Sequence, residues 1–342
     1  VTRCPRSGRP LSEPGPCGTQ IDRYKVERLL GTGAFGSVYK AHHARTRSEV
    51  AFKVLRPELM TNATILERFL REATTAASVG SEHVVRVVDA EVTAENVAFI
   101  AMEYVEGEDL KSLMLSTTQL HPARAVGLLC QLLEGLSAAH DKGIVHRDIK
   151  PANLLVARRR DVHGREQEVV KILDFGISKV AGAAALTGVG VTIGTPSYMA
   201  WEQFTDSRAV DARSDLYAVA AIAHELLTGR KPFDADDIPG LIERMRTHDR
   251  PKMRDLMPGL PVPLCAVVEK GLEKRQERRW QTAREFESAL EATLQLLDAP
   301  PPLAPRVREP EPATPAPAPD VQRDVETRVR LKDSAQEPTE KG

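Results

Sequence analysis

The 342-residue sequence is long enough for one two-lobed domain or two small ones, and its 42% hydrophobic content is that of a soluble globular chain. A formal net charge of -1 offers no general attraction to nucleic acid or to an anionic membrane surface. The longest apolar run, Leu216 to Leu227, is broken by Tyr217, His224 and Glu225 and falls short of the about 18–20 residues that a membrane helix requires. Two of the four cysteines, Cys130 and Cys265, sit in helix-like apolar stretches, which argues against a secreted disulfide framework and for a reducing, cytoplasmic setting.

In chain order, residues 1–20 form a Pro/Gly-rich leader expected to be disordered. Cys4 and Cys17 supply only two of the four ligands of a zinc ribbon, so a metal role for them is left open. Val1 is either a non-methionine start or the edge of a longer protein. From Ile21 a patterned region begins, with strands predicted at Tyr24 to Leu30, Ser37 to Ala41, Glu49 to Leu55 and Val97 to Glu103. Between the first two strands lies Leu30-Gly31-Thr32-Gly33-Ala34-Phe35-Gly36-Ser37-Val38, whose three glycines let a backbone approach a polyphosphate. A dinucleotide-binding turn has similar glycines but leads into a helix, whereas Val38-Tyr39-Lys40-Ala41 reads as a second strand.

In Val50-Ala51-Phe52-Lys53-Val54 the period of two sends Ala51 and Lys53 to the face away from Val50, Phe52 and Val54. Ala63 to Ser78 reads as a helix that carries Glu72 on its apolar stripe, seven residues after Ile65. A carboxylate left unpaired there would cost on the order of 3–5 kcal/mol, and Lys53 would satisfy it; a surface pair with Arg68 is the alternative. From Pro122 the periodicity becomes helical, with Leu128, Leu129, Leu132, Leu133 and Leu136 in one stripe and Gly143 as the expected C-cap. The run Arg158 to Arg160 opens a charged segment extending to Gln167, expected to be a solvated loop.

The segment His146-Arg147-Asp148-Ile149-Lys150-Pro151-Ala152-Asn153, followed by Asp174-Phe175-Gly176, resembles the catalytic loop and metal-binding motif of the protein kinase superfamily. With the glycine loop, Lys53 and Glu72 upstream in the matching order, the resemblance covers Ile21 to Asp298. It implies an α+β bilobal fold, with a small β-rich lobe over residues 21–105 and a larger helical lobe over 106–298. Lys150, two residues after Asp148, resembles the serine/threonine branch, and the style of Arg71-Glu72-Ala73 together with the His146 to Asn153 run is similar to that of bacterial members. Residues 299–342, which hold ten of the 24 prolines, are expected to be a disordered tail.

The resemblance implies ATP and Mg²⁺ as cofactors and Ser/Thr-bearing proteins, including the chain itself, as partners. It implies Asp148 as base, Lys150 on the transferring phosphoryl group, Lys53, oriented by its pair with Glu72, at the α- and β-phosphates, and Asn153 and Asp174 on the metal. Met102 looks like the gatekeeper, with Glu103 to Val105 as the hinge, Asp109 near the ribose, and Leu30, Val38, Ala51 and Leu155 around the base. Thr187 and Thr192 are the expected activation-loop phosphorylation sites, with Arg147 positioned to clamp the phosphate. Asp215 resembles the brace of the catalytic loop, and Arg279 the partner of Glu202. Ala200-Trp201-Glu202 departs from the family's A-P-E triplet, with Trp201 in place of proline. That departure is the one support for the alternative, a pseudokinase scaffold that binds without transferring phosphate.

Overall fold

The computed structural model describes residues 18–117, 120–161, 163–175, 196–247 and 250–297. The first part is a six-stranded antiparallel sheet built from β1 (Gln20–Ile21), β2 (Tyr24–Thr32), β3 (Gly36–His43), β4 (Glu49–Leu55), β5 (Val87–Val92) and β6 (Ala98–Glu103), in the order β1-β2-β3-β4-β6-β5. Alternation along β4 and β6 gives the sheet two apolar faces. On one, Phe52 and Phe99 stack with ring centroids 4.7 Å apart beside Tyr24. On the other, Leu55, Ile100 and Met102 pack against Phe69 and Ala73 of α1 (Ala63–Val79). Helix α1 starts where the Asn62 side chain accepts the Ile65 N–H at 3.2 Å and stops at Gly80, whose φ is +69°, a left-handed cap suited to glycine.

After β6 the chain forms β7 (Gly107–Asp109), α2 (Leu110–Ser116) and α3 (Pro122–His140), then the hairpin β8 (Leu154–Arg160) and β9 (Glu166–Ile172) in a sheet ordered β7-β8-β9. The helical part continues with α4 (Trp201–Thr205), α5 (Ala212–Thr228), α6 (Ile238–Thr247), α7 (Met253–Leu256), α8 (Val262–Gly271) and α9 (Ala283–Glu291). The apolar run from Leu216 forms the core of α5, buried on nearly every face, as expected of a helix that is hydrophobic all round. The leucine stripe of α3 is likewise buried against it. At Gly271 a Cβ would stand 2.6 Å from the Ala220 Cβ, so α8 meets α5 closely only because this residue has no side chain. This small antiparallel-sheet lobe followed by a mainly helical one is the bilobal α+β arrangement the sequence implied. Among the described residues no helix is long and apolar enough to cross a membrane.

Several local expectations change. Arg158, Arg159 and Arg160 are not in a loop: they lie in β8, in register with Glu168, Gln167 and Glu166 of the returning strand β9. Strands β1, β5 and β7 carried no sequence signal, because two are only two and three residues long and β5 is a half-exposed edge strand interrupted by Asp89 and Glu91. Helix α3 ends at His140 with Asp141 as its cap, and Gly143, at φ +70°, makes the turn two residues later.

Candidate active site

The cleft between the two lobes is built from β2, β3, β4 and α1 above and from the segments around β8 and β9 below. The β3–β4 register sets Val38 opposite Lys53, and the alternation read from sequence holds: Val50, Phe52 and Val54 are buried, while Ala51 and Lys53 face the cleft side, partly open. Lys53 Nζ lies 2.8 Å from Glu72 Oε1 and 2.8 Å from Asp174 Oδ1. Three residues separated by up to 121 positions thus meet on one ammonium. The Lys53 and Glu72 side chains are 13% and 12% exposed, whereas Asp174 keeps 41% of its surface open to the cleft.

Electrostatics follow from that placement. Desolvation works to lower the Lys53 pKa, but the charges of Asp174 and Glu72 outweigh it and hold the amine above the ordinary lysine value. Burial pushes the Glu72 carboxyl up, to about 7, against the pull of Lys53. Asp174 goes the other way: burial opposes its charge, yet the Lys53 ammonium and its hydrogen bond hold the carboxyl below the usual range. Lys53 therefore stays cationic, with an acidic partner at the open edge of the site.

The glycine loop spans the end of the β2–β3 hairpin. Leu30 through Phe35 are exposed, Gly31 has no atom within 4 Å of a built Cβ, and Gly36 could not carry one, since it would stand 2.0 Å from the Val54 carbonyl oxygen. The Arg56 guanidinium donates to the Gly33 carbonyl at 2.8 Å, and the Arg56 N–H donates to the Phe35 carbonyl at 2.9 Å. This tether has no sequence signature; an arginine directly after a strand reads as surface charge. Below the loop, Val38, Ala51 and Leu155 are partly open while their strand neighbours are buried, Leu30 is exposed, and Met102 closes the back at 8% exposure. The Glu103 carboxylate is held away in an ion pair with Lys171 at 2.7 Å, which leaves only its backbone to the cleft side. Asp109 caps α2, accepting the Ser112 N–H at 3.0 Å and the Ser112 hydroxyl at 2.8 Å.

The loop from His146 to Asn153 concentrates polar groups. Lys150 Nζ donates to Asp148 Oδ2 at 2.8 Å, and Asn153 Nδ2 donates to the Asp148 carbonyl at 2.8 Å and to Oδ2 at 3.2 Å. His146 Nε2 lies 3.0 Å from the Leu173 carbonyl and must donate there, so its Nδ1 accepts the Asp148 N–H at 3.2 Å. One neutral imidazole thereby joins the loop to the residue before Asp174, and its ring packs on Phe175 at 4.8 Å. From beneath, the buried Asp215 carboxylate accepts the N–H groups of His146 and Arg147, both at 2.8 Å, and the His140 imidazole at 2.9 Å. Arg147 and Asp174 both have positive φ, +66° and +42°, conformations unusual for residues with a Cβ.

Away from the cleft, Arg279 grips Glu202 with two nitrogens at 2.7 and 2.9 Å. The Trp201 ring lies under Lys274 Nζ at 4.0 Å, a cation–π contact that occupies the place of a proline. Gly176, Thr187 and Thr192, together with Cys4 and Cys17, lie outside the described residues.

The fold and the arrangement of its cleft are those of a protein kinase domain, and the comparisons agree. The model of the protein kinase domain matches residues 24–290. The chain is 36% identical over 276 residues to the serine/threonine-protein kinase pkn3 of Myxococcus xanthus, covering 79% of this chain and 50% of that protein. It is 36% identical over 268 residues to the serine/threonine-protein kinase PknD of Mycobacterium tuberculosis, covering 78% and 39%. The crystal structure of the Mycobacterium tuberculosis PknI kinase domain matches with a TM-score of 0.63 at 28% identity, covering 81% of this chain and 99% of that one. The chain belongs to the protein kinase family, and the curated relatives named above are bacterial serine/threonine kinases. It spans 50% and 39% of the length of those two relatives. Membership implies ATP as phosphoryl donor and, typically, Mg²⁺.

Proposed function

We propose that this chain is the catalytic domain of a serine/threonine protein kinase, moving the γ-phosphoryl group of ATP to Ser or Thr hydroxyls of protein substrates. The convergence of Lys53, Glu72 and Asp174 on one point of the cleft carries the reading, because an ammonium held between two carboxylates is set to exchange a carboxylate for phosphate oxygens. Glu72 then keeps Lys53 oriented. The donor chemistry fits a hard cation: Asp174 offers an open carboxylate, and Asn153, whose amide nitrogen points at Asp148, would present its oxygen. Mg²⁺, when bound, would neutralise charge on the β- and γ-phosphates. Leu30, Val38, Ala51, Met102 and Leu155 would enclose the base, with the backbone of Glu103 and Val105 as its hydrogen-bonding edge, Asp109 near the ribose, and the backbone from Gly31 to Ser37 over the phosphates.

In this reading Asp148 orients the acceptor hydroxyl and takes its proton, while Lys150, hydrogen-bonded to the same carboxylate, steadies the group in transfer. The domain runs from about 21 to 298 between a leader and a Pro-rich tail, works in the cytoplasm or on a tethered parent, and is regulated by autophosphorylation at Thr187 or Thr192. The test is transfer from radiolabelled ATP to a basic protein substrate, with Asp148→Asn as control. The variant should lose roughly 10²–10⁴-fold in rate, and mass spectrometry should find phosphate on Thr187 or Thr192 in the wild type alone. Equal transfer by both proteins, or by neither, would refute the assignment.

A further inference from the structure

The peptide unit joining Arg147 to Asp148 is held at both ends. Its N–H, on Asp148, is accepted by His146 Nδ1 at 3.2 Å, and its carbonyl, on Arg147, accepts Gln203 Nε2 at 2.9 Å. The preceding peptide is held by Asp215, whose Oδ1 accepts the Arg147 N–H. These bonds fix a backbone with φ of +66° at Arg147, which an unrestrained residue with a Cβ would leave. The orientation of the Gln203 amide is not arbitrary: its Oε1 accepts the Ala200 N–H at 2.9 Å, so the nitrogen must be the end that faces Arg147. Gln203 follows Glu202, which Arg279 locks in place, and sits in the first turn of α4. A rigid anchor on one element therefore reaches, through one side chain, the peptide plane from which the Asp148 side chain departs.

We propose that Gln203 is a positioning residue for phosphoryl transfer, setting the Arg147–Asp148 peptide plane and hence the direction of the Asp148 carboxylate. The inference rests on the kinase reading above. Small displacements of a reacting group cost rate steeply, and no other described side chain is seen on the Arg147 carbonyl.

The competing role is that of a helix cap alone, through the bond from Ala200. Two variants separate them. Gln203→Glu keeps an oxygen for the Ala200 N–H, and glutamate is favoured at this helical position, but it sets a second acceptor against the Arg147 carbonyl. Gln203→Met removes both bonds. Steady-state kinetics with ATP and a peptide acceptor, together with thermal unfolding, should show Gln203→Glu losing roughly tenfold or more in kcat, with the KM for ATP within about twofold and Tm near wild type. Gln203→Met should lose kcat as well. If Gln203→Glu turns over at the wild-type rate while only Gln203→Met is impaired, or if either variant fails to fold, Gln203 is part of the scaffold and the proposal is overturned. A wild-type protein without transferase activity would overturn the kinase reading too, which distinguishes that failure from this one.

Discussion

Two cation–carboxylate clusters lie in the same domain and differ in what surrounds them. Arg279 is fully buried and bonded throughout: two nitrogens hold Glu202, while its Nε and remaining contacts go to the carbonyls of Glu273, Lys274 and Arg213, and its guanidinium lies 4.9 Å over the Tyr217 ring. Lys53 instead holds Glu72 on the inner side and a carboxylate that is 41% exposed on the other. A guanidinium fork saturated by fixed partners has nothing to exchange, so it acts as a permanent joint between α4 and the segment before α9. An ammonium with one fixed and one open partner can trade the open one for a ligand. The same chemistry of opposite charges thus gives a scaffold in one place and a binding site in the other, and enclosure decides which.

Breaking each cluster should separate these roles. The largest effect is expected at the buried joint: Arg279→Met leaves Glu202 charged and enclosed, with the Ser214 hydroxyl and the Gln276 amide but no cation beside it, and should lower unfolding free energy by about 3–5 kcal/mol in denaturant titration. An unchanged midpoint would contradict the scaffold role. Lys53→Met should act mainly on function, reducing kcat/KM for ATP by roughly 10²–10³-fold, and should cost less stability than Arg279→Met, since the Glu72 carboxyl, already raised by burial, can take up a proton once its ammonium partner is gone.

The smallest effect sharpens the comparison through pH. At Glu202, desolvation acts to raise the carboxyl, but the Arg279 hydrogen bonds and charge prevail and hold it below the ordinary 4.5. A carboxyl depressed in the folded state binds protons more tightly when unfolded. Its contribution is therefore complete above pH 4.5 and is lost as the pH falls through the folded value. Glu202→Gln should give a flatter stability curve below pH 4.5 than wild type, measured by chemical unfolding across the acid range. Curves of equal slope would show that Glu202 does not titrate between the two states.

Much of the architecture was legible because its signals are local. Alternation in Val50 to Val54 placed Lys53 opposite the apolar face, and the stripe of leucines from Leu128 defined α3. Glu72 announced a partner by standing where a helix is otherwise apolar. What misled was equally local: Arg158 to Arg160 read as a solvated loop because a run of charge carries no strand signal, and the strand that pairs with it, Glu166 to Glu168, comes from the returning chain. Gln203 and Arg56 left no trace, since a glutamine at a helix start and an arginine after a strand are ordinary surface residues until their acceptors are known.

The amino-acid sequence by itself determined the class of fold, the order of the elements and the identity of the charged groups, because periodicity and motif spacing are properties of neighbouring residues. Only the tertiary structure decided which of those charges meet. Lys53 and Asp174 are 121 positions apart, and their contact, the left-handed Arg147 and the enclosure of Arg279 exist only once distant segments have packed and withdrawn some groups from water while leaving others beside it.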